Sequence, residues 1–363
     1  MARQGDGGPA VPSSPPGRQR PTMTDVAIRA GFSRQLVSLV LRGAAGASPQ
    51  TRERVMQAAA ELGYSPDIAA RTLRRRTSTY LGVVFTPAHS SESDVVEHMY
   101  SAAAAAGYGV LLSALTPSRD QLVAVQELLG YRSEALILIG TTMIPADLRS
   151  LGRRVPVVTV GGGPADLAAG VDVVRSAGDQ GIAQSVEHLV ALGHRDIAFV
   201  HTPDMPSSTL RQQGYVRAMR VAGLSTRAVI VTEGYTEDAG ATAAGMLLAE
   251  DPLPTAVVTG NDQAGLGLVH ALLRHGVRVP GDVSVTGFDD SRIARLSMLD
   301  LTSAHQDAAE MSAMAVHAAL RRIGDPGLPP DEFVTVPTLV VRGSTGLPRN
   351  GPSVRRRSGR RSA

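Results

Sequence analysis

Residues 22–43 read TMTDVAIRAGFSRQLVSLVLRG, and residues 48–73 read SPQTRERVMQAAAELGYSPDIAARTL. The first stretch predicts two short helices joined by a tight turn at Gly31, because glycine adopts the left-handed conformation that ends a helix. Thr22 is a suitable N-cap for the first helix. Asp25, three residues on, places a carboxylate near the positive end of that helix.

The second and third helices have equally clear start signals. Ser33 is a suitable N-cap for the second helix. Ser48 and Pro49 together predict the start of a third helix, which Gly63 ends. Apolar residues at helical spacing are expected to form one core, and they are Val26, Ala27, Ala30, Leu36, Val37, Val40, Leu41, Val55, Met56, Ala59 and Leu62. Two short helices joined through a glycine, with a third packed on them, predict a helix-turn-helix head.

The start of the second helix carries side chains that can distinguish bases. In a helix-turn-helix the second helix enters the major groove with its N-terminal residues first. Here these are Arg34 and Gln35. Arginine can bind guanine and glutamine can bind adenine, each through two hydrogen bonds. Taken alone, the same residues also fit a solvated helix face.

A short basic segment follows the head. Pro66 can start a helix, and the segment ends in Arg71, Leu73 and Arg74–Arg76. A helix this short is marginally stable by itself in water. An apolar side chain among arginines suits insertion between base pairs from the minor groove. We therefore expect a hinge helix at 65–78, although a solvated linker fits the same residues.

These motifs closely resemble the lac repressor/galactose repressor (LacI/GalR) family of bacterial transcription regulators over about residues 22–347. The resemblance rests on TDVAIRAGFS, VSLVL, SPQTRERVMQAAAELGY and SPDIAARTL. It implies DNA contacts from Thr22, Ser33, Arg34, Gln35, Ser38, Leu39, Arg42, Leu73 and Arg74. At Leu39 the family usually has an arginine, and an apolar residue can meet a thymine methyl but cannot bind guanine.

Charge is divided unevenly along the chain. The net charge is +3, yet the residues up to Ser78 carry twelve arginines and five acidic residues, and those from Pro348 carry six arginines and no acid. The middle of the chain is therefore acidic, which indicates nucleic acid at the ends rather than along the body. Residues 1–21 and 348–363 are rich in Gly, Pro, Ser or Arg and are expected to be disordered tails.

Several protein classes are disfavoured. No window of about twenty apolar residues exists, so no transmembrane helix is expected. The N-terminus lacks the apolar region of a secretory signal, so we expect a cytoplasmic, nucleoid-associated protein. The chain has no cysteine, which excludes disulfides and thiolate metal sites. His188 and His194 lack the spacing of a helical metal pair and are expected to be structural. No catalytic signature, cofactor or metal is expected.

From Thr79 onward, short apolar runs alternate with helical segments. LGVVF, GVLLSA, ALILIG, VPVVTV, IAFV, AVIV, TAVVTG and DVSVTGF are the predicted strands. Continuous apolar strands are typical of parallel sheets covered by helices on both faces. We expect two doubly wound α/β lobes, and the resemblance implies a periplasmic-binding-protein-like effector and dimerisation domain at 79–347. The N-lobe would hold about 79–177 and 307–336, and the C-lobe about 178–305 and 337–347, which includes a last strand LVVRGST.

Polar residues at strand ends predict a small-molecule cleft between these lobes. The motifs SSTLR, EGYTEDAG, GNDQAG, GFDD and LTSAHQ carry the candidates Arg211, Tyr235, Asn261, Asp289 and Gln306. Planar donors and acceptors with an aromatic face suit a hydroxyl-rich ligand. Asn261 also fits a helix cap and Asp289 a turn residue, and Arg211 fits an exposed helix position. The resemblance favours the effector-binding interpretation.

The chain departs from the family at two further places. The loop after the first strand, TPAHSSESD, has no aromatic residue, and Ala177-Gly178 replaces a frequent Asp-Asn pair. Together with the scarcity of aromatic residues and the lack of tryptophan, these departures leave open a purine-like or phosphorylated ligand, or a pocket with no effector. The sequence predicts a homodimeric repressor that binds a pseudo-palindromic DNA operator and responds to a sugar-like effector. A solute-binding protein of the same lobed fold is the alternative, and a sugar-modifying enzyme would need an acid/base pair that the motifs do not supply.

Overall fold

The computed structural model describes residues 21–41, 44–64, 78–203 and 205–349. Contacts divide the chain into two compact units, residues 1–77 and residues 78–363. Apart from one or two boundary residues, the predicted hinge helix and both predicted tails lie outside the described residues, as do Arg42, Leu73 and Arg74.

The first unit contains helices α1 (Met23–Ala30), α2 (Arg34–Leu41) and α3 (Pro49–Leu62). Thr22 and Asp25 form a capping box, in which each side chain bonds the other's backbone N–H, at 3.3 and 2.7 Å. The other two predicted caps are also present, because Ser33 Oγ accepts from Leu36 N and Ser48 Oγ from Thr51 N, both at 3.2 Å. The helix-turn-helix prediction is confirmed.

The three helices share a small core of valines and alanines, namely Val26, Ala27, Ala30, Val37, Val40, Val55, Ala58 and Ala59. Two predicted core residues were wrong: Leu36 is only partly buried and lies outside this core, and Met56 is half exposed, with Ala58 buried instead. Val55, Ala58, Ala59 and Leu62 recur every three or four residues on the inner face of α3. Position 56 is rotated by about 100° from position 55 and so points away from that face.

The second unit alternates strands and helices through most of its length. Its strands are β1 (Tyr80–Phe85), β2 (Gly109–Ala114), β3 (Ala135–Ile139), β4 (Val157–Val160), β5 (Asp172–Ser176), β6 (Ile197–His201), β7 (Arg227–Ile230), β8 (Ala256–Thr259), β9 (Ser284–Asp289), β10 (Thr302–His305), β11 (Glu332–Thr335) and β12 (Thr338–Val340). Its helices are α4 (Ser90–Ala105), α5 (Gln121–Gly130), α6 (Pro145–Gly152), α7 (Pro164–Ala168), α8 (Gly178–Ala191), α9 (Ser208–Val221), α10 (Glu237–Leu248), α11 (Asp262–Arg274) and α12 (Ala308–Gly324).

Two six-stranded sheets define an N-lobe and a C-lobe. The N-lobe sheet has the order β11-β5-β4-β3-β1-β2 and the C-lobe sheet the order β12-β10-β9-β8-β6-β7. All neighbouring pairs are parallel except β10 with β12. The chain passes between the sheets three times, after β5, after β10 and after β11. The predicted fold class, two doubly wound lobes behind a helical head, is confirmed.

Some elements differ from the sequence prediction. Strands β5, β10 and β11 were not predicted, because each is short and polar residues interrupt its apolar run. The last strand ends at Val340 rather than continuing through LVVRGST. Among the described residues, no helix is long and apolar enough to cross a membrane.

Candidate functional site

A cleft of about 410 Å³ lies between the two lobes of the second unit. It is lined from both sheets by residues at the carboxyl ends of strands and in the first turns of the following helices. This is where ligands sit in open α/β sheets. All five residues predicted to bind an effector line it, namely Arg211, Tyr235, Asn261, Asp289 and Gln306.

Arg211 lies in the first turn of α9 and is almost fully buried. Its guanidinium is 3.9 Å from the Phe288 ring centre and 5.2 Å from that of Tyr235, so it makes cation–π contacts with both rings. One terminal nitrogen donates to the Gly260 carbonyl, and the other is 3.6 Å from Asp289 Oδ1. The Nε atom has no hydrogen-bond partner in the structure. The interpretation of Arg211 as an exposed helix residue was therefore wrong.

Asp289 ends β9 opposite Arg211. Gln306 Nε2 donates to Asp289 Oδ1 over 2.5 Å. Burial raises the pKa of Asp289 to about 6, although the nearby Arg211 guanidinium opposes this shift. The backbone φ of Asp289 is +110°, which L-residues rarely adopt and which is common at binding sites. The strand end is thus held in an unusual conformation that presents an acidic oxygen to the cleft.

The neighbouring Asp290 has a different role. Its carboxylate accepts from Arg342 at 2.5 Å, from Arg295 at 3.1 Å, and lies 3.1 Å from His305 Nδ1. Its backbone N–H donates to Ser303 Oγ at 3.0 Å. This carboxylate is surrounded by protein cations, and therefore fixes the loop after β9.

Asn261 combines two roles that the sequence presented as alternatives. Its Oδ1 accepts from Ala264 N at 3.0 Å, which makes it the N-cap of α11. Its Nδ2 donates to the Tyr235 carbonyl at 3.2 Å, and the Tyr235 hydroxyl lies 3.3 Å from Ser207 Oγ. The helix-cap interpretation is confirmed. The same bonds hold Asn261 and Tyr235 in the cleft wall.

The N-lobe side of the cleft contains residues that the sequence analysis missed. They are chiefly His89, Ser91, Arg175 and Ser176. His89 Nδ1 is 2.7 Å from Glu92 Oε1, and this hydrogen bond raises the pKa of His89 above its ordinary value. The Ser176 hydroxyl is buried without a partner in the structure. A search for polar residues at every strand end would have found Arg175 and Ser176, had β5 been predicted.

The Ala177-Gly178 departure has a structural counterpart. Gly178 begins α8 directly against Arg211, and a Cβ on Gly178 would lie 3.1 Å from Arg211 Cγ. A residue with a Cβ at this position would require the Arg211 side chain to shift by a few tenths of an ångström. The small residue Gly178 therefore leaves the space that the Arg211 side chain occupies.

In the first unit, the predicted base-reading residues lie at the exposed start of α2. Ser33, Arg34 and Gln35 are exposed, whereas Ser38 and Leu39 are partly buried. Leu39 methyl groups lie 3.6 and 3.9 Å from the place where a Cβ on Gly46 would be. The leucine thus packs partly against the loop before α3, so only part of its surface is free to meet a base.

The two histidines expected to be structural make hydrogen bonds within the C-lobe. His188 Nε2 is 3.0 Å from Thr345 Oγ1. His194 lies between Thr255 Oγ1 and the Gly346 carbonyl, each at 2.9 Å. Their structural role is confirmed. Within the described residues, no three His, Asp or Glu side chains are grouped so that they could hold a metal.

Comparison with known proteins gives consistent matches to both units. Residues 22–67 match the family described as bacterial regulatory proteins, lacI family, and residues 186–345 match the periplasmic binding protein-like domain. The HTH-type transcriptional regulator CelR of Thermobifida fusca is 34% identical over 345 residues, which are 90% of this chain and 99% of that protein.

Two solved structures extend the comparison. The lac repressor dimer bound to operator and the anti-inducer ONPF is 28% identical, with a TM-score of 0.75, and the match covers 90% of this chain and all of that one. The complex of the transcriptional regulator CelR with cellobiose is 29% identical, with a TM-score of 0.65 and the same coverage.

Proposed function

Because the chain belongs to the lacI family of bacterial regulatory proteins and is a DNA-binding transcriptional regulator, we propose that it is a repressor controlled by a neutral, hydroxyl-rich effector in the cleft of the second unit. The observation that carries this proposal is the group of Arg211, Asp289 and Gln306 beside two aromatic rings. Planar donors and acceptors fixed next to a ring face are suited to sugar hydroxyls. CelR, a relative of this chain, was solved with the sugar cellobiose.

The charges in the cleft favour a neutral effector over a phosphorylated one. In the described part of the chain, each arginine that lines the cleft faces a carboxylate. The pairs are Arg211 with Asp289, Arg175 with Glu332, Arg292 with Asp94, and Arg295 with Asp290. The carboxylate of each pair would repel a phosphate, whereas hydroxyl groups can bond to the pairs as they stand.

The DNA-facing part of the proposal rests on α2. Arg34 and Gln35 would read bases, and Thr22, Ser33, Ser38 and Leu39 would contact the same site, together with Arg42, Leu73 and Arg74 from outside the described residues. The lac repressor was solved as a dimer on its operator. We propose the same for this chain: a homodimer on a pseudo-palindromic operator, working in the cytoplasm at the nucleoid.

A hinge at residues 65–78 would couple the two functions. A short basic segment is marginally helical alone and gains order against a duplex. An effector can shift this equilibrium only through different affinities for the DNA-bound and free states. By this proposal the chain acts on DNA by binding, and catalyses no reaction on the effector.

The test is selection of bound sequences from random DNA, followed by a screen of sugars and nucleosides for release. We expect an enriched pseudo-palindrome and release by at least one sugar. Arg211→Ala should bind this operator normally but need roughly tenfold to a hundredfold more of that sugar, because hydrogen bonds to a charged group are lost.

Arg217→Ala is the matched control, since Arg217 lies on the same helix but forms an exposed pair with Asp179, outside the cleft. It should respond like the wild type. An unchanged response of Arg211→Ala would remove this residue from the effector site. Failure to enrich any DNA sequence would instead favour the solute-binding alternative.

A further inference from the structure

Gln263 connects the two lobes through its side-chain amide. It lies in the first turn of α11 in the C-lobe and is 5% exposed. Its Nε2 donates to the Ala88 carbonyl at 2.9 Å, and its Oε1 accepts from Ser90 N at 3.2 Å. These two peptide groups belong to the N-lobe loop after β1 and flank His89, which lines the cleft.

The C-lobe holds Gln263 rigidly. Gln263 Nε2 also donates to Glu237 Oε1 at 3.2 Å, at the start of α10. Helices α10 and α11 touch through Gly240 and Gly267, and a Cβ on either glycine would overlap backbone atoms of the other helix. This close crossing fixes the first turn of α11 relative to Glu237. The glutamine side chain therefore extends toward the N-lobe from a fixed base.

Other contacts also cross this edge of the cleft, including a side-chain hydrogen bond between Ser91 of the N-lobe and Asp289 of the C-lobe. Arg292 lies 3.5 Å from Asp94 and 3.7 Å from Glu97, but its side chain is 76% exposed. Exposed ion pairs contribute little and are screened by salt. The Gln263 bonds to Ala88 and Ser90 are partly buried and join neutral groups, so water competes with them less than with an exposed ion pair and salt hardly screens them.

We propose that Gln263 is a clasp that holds the N-lobe loop 86–90 on the C-lobe and thereby determines how far the cleft closes. It positions His89, whose ring is oriented by Glu92, at the cleft wall. For a ligand to enter or leave, the two bonds to Ala88 and Ser90 must break and form again. The inference deepens the proposed function, since it assigns a closing element to the same effector cleft, but the clasp can be tested without DNA or effector.

The chain has no cysteine, so Ser176→Cys introduces a single reporter thiol in the cleft. Ser176 is 8% exposed and its hydroxyl has no hydrogen-bond partner in the structure, so the exchange removes no bond. The reporter lies at the end of β5 in the N-lobe sheet, where β4 and β3 separate it from β1 and the loop that Gln263 holds. The rate of its reaction with a dithiodipyridine reagent then measures how often the cleft opens.

Gln263→Met is the principal variant, because methionine keeps the volume of glutamine but makes none of its three hydrogen bonds. Added to the reporter protein, it should raise the rate of thiol modification roughly tenfold, as expected for the loss of the two hydrogen bonds to the N-lobe. Gln121→Ala is the matched control, since Gln121 donates to Thr141 Oγ1 within the N-lobe alone. It should leave the rate unchanged.

Gln263→Glu tests the hydrogen bonds separately from packing. An ionised glutamate cannot donate to Ala88 and is repelled by Glu237 and Glu92, whereas a protonated one can donate to Ala88 and accept from Ser90. Burial and these neighbours should raise its pKa, while His89 opposes the shift. Thiol protection should therefore be restored near pH 5 and lost near pH 8, roughly, in this variant only.

Two results would overturn the clasp. The first is an unchanged reporter rate in Gln263→Met when melting shows the variant to be folded. The second is an equal increase in Gln121→Ala, which would show a general loss of stability. Failure to bind an operator would leave both measurements intact, so the clasp and the proposed function can fail separately.

Discussion

Individual residues in the cleft both stabilise the fold and form part of the candidate ligand-binding surface. Asn261 caps α11 and also bonds the Tyr235 carbonyl. Arg211 bonds a strand-end carbonyl while lying between two rings. For Asn261 the two alternatives that the sequence offered are thus compatible, because one atom of its amide accepts from its own helix and the other donates to the cleft wall.

Single residues of α2 should also determine which DNA sequence is bound. Gln35 is exposed at the start of α2, and replacing it with alanine should remove one two-point contact with a base. We expect Gln35→Ala to lose about 1–3 kcal/mol of discrimination at one base pair in each half-site. Binding to operators with single base-pair changes measures this loss.

Gln50→Ala is the control for that measurement, because Gln50 is equally exposed but lies on α3. It should leave base preference as it is. Uniform weakening of Gln35→Ala on every sequence would show that the glutamine contacts DNA without reading it.

At the scale of elements, the C-terminal residues 341–349, which we call the strap, show how irregular backbone is held. Ser344 accepts hydrogen bonds from β9 and from the start of β10. Val285 N donates to the Ser344 carbonyl at 2.9 Å, and Thr302 N donates to the Ser344 hydroxyl at 2.8 Å. His188 and His194 bind the next two residues of the strap. Isolated backbone and side-chain hydrogen bonds thus hold the strap against the C-lobe sheet, although the strap does not pair as a regular strand.

The strap should be sensitive to acid. Burial lowers the pKa of both His188 and His194 below the ordinary value, so the folded state favours neutral rings. The unfolded chain takes up protons first as the pH falls below about 6.5, and stability is then lost. We expect the melting temperature to decline from pH 7 to pH 5, and to decline less steeply in His194→Gln.

Glutamine can still donate to the Gly346 carbonyl and accept from Thr255, but it does not titrate. Thermal melting of both proteins across this pH range is the measurement. Parallel pH profiles would show that His194 contributes nothing to the acid sensitivity.

At the scale of the whole molecule, charge is separated along the chain. The residues before Thr79 and after Leu347 are rich in arginine, and the lobes between them are acidic. Basic termini attract phosphates, and an acidic body discourages binding of DNA along its length. This distribution agrees with a regulator that contacts DNA through one part and a small molecule through another.

Salt should therefore weaken operator binding steeply. If about six phosphates are contacted, the affinity should fall roughly a thousandfold between about 50 and about 200 mM salt, because each arginine releases condensed counterions. Filter binding or fluorescence anisotropy on operator DNA measures the slope, with random duplex as a reference. A nearly flat dependence would contradict contact through the arginines.

Much of the architecture could be predicted from local patterns. Caps such as Thr22 and Ser48 act on residues three positions away, and the apolar strand runs reflect burial on both faces. The head, the alternation of strands and helices, and the C-lobe residues of the cleft could be predicted in this way. The end of the last strand could not, because its environment depends on neighbours distant in sequence.

The sequence by itself determined the helical head, the two α/β lobes and the chemical types available at strand ends, since these depend on short-range periodicity and capping. Only the tertiary structure decided which distant groups meet. It brings Gln263 to Ala88 and Ser90, which are 175 and 173 residues away in sequence, and closes Gly178 against Arg211. Such contacts depend on sheet register and helix crossing, which no local pattern encodes.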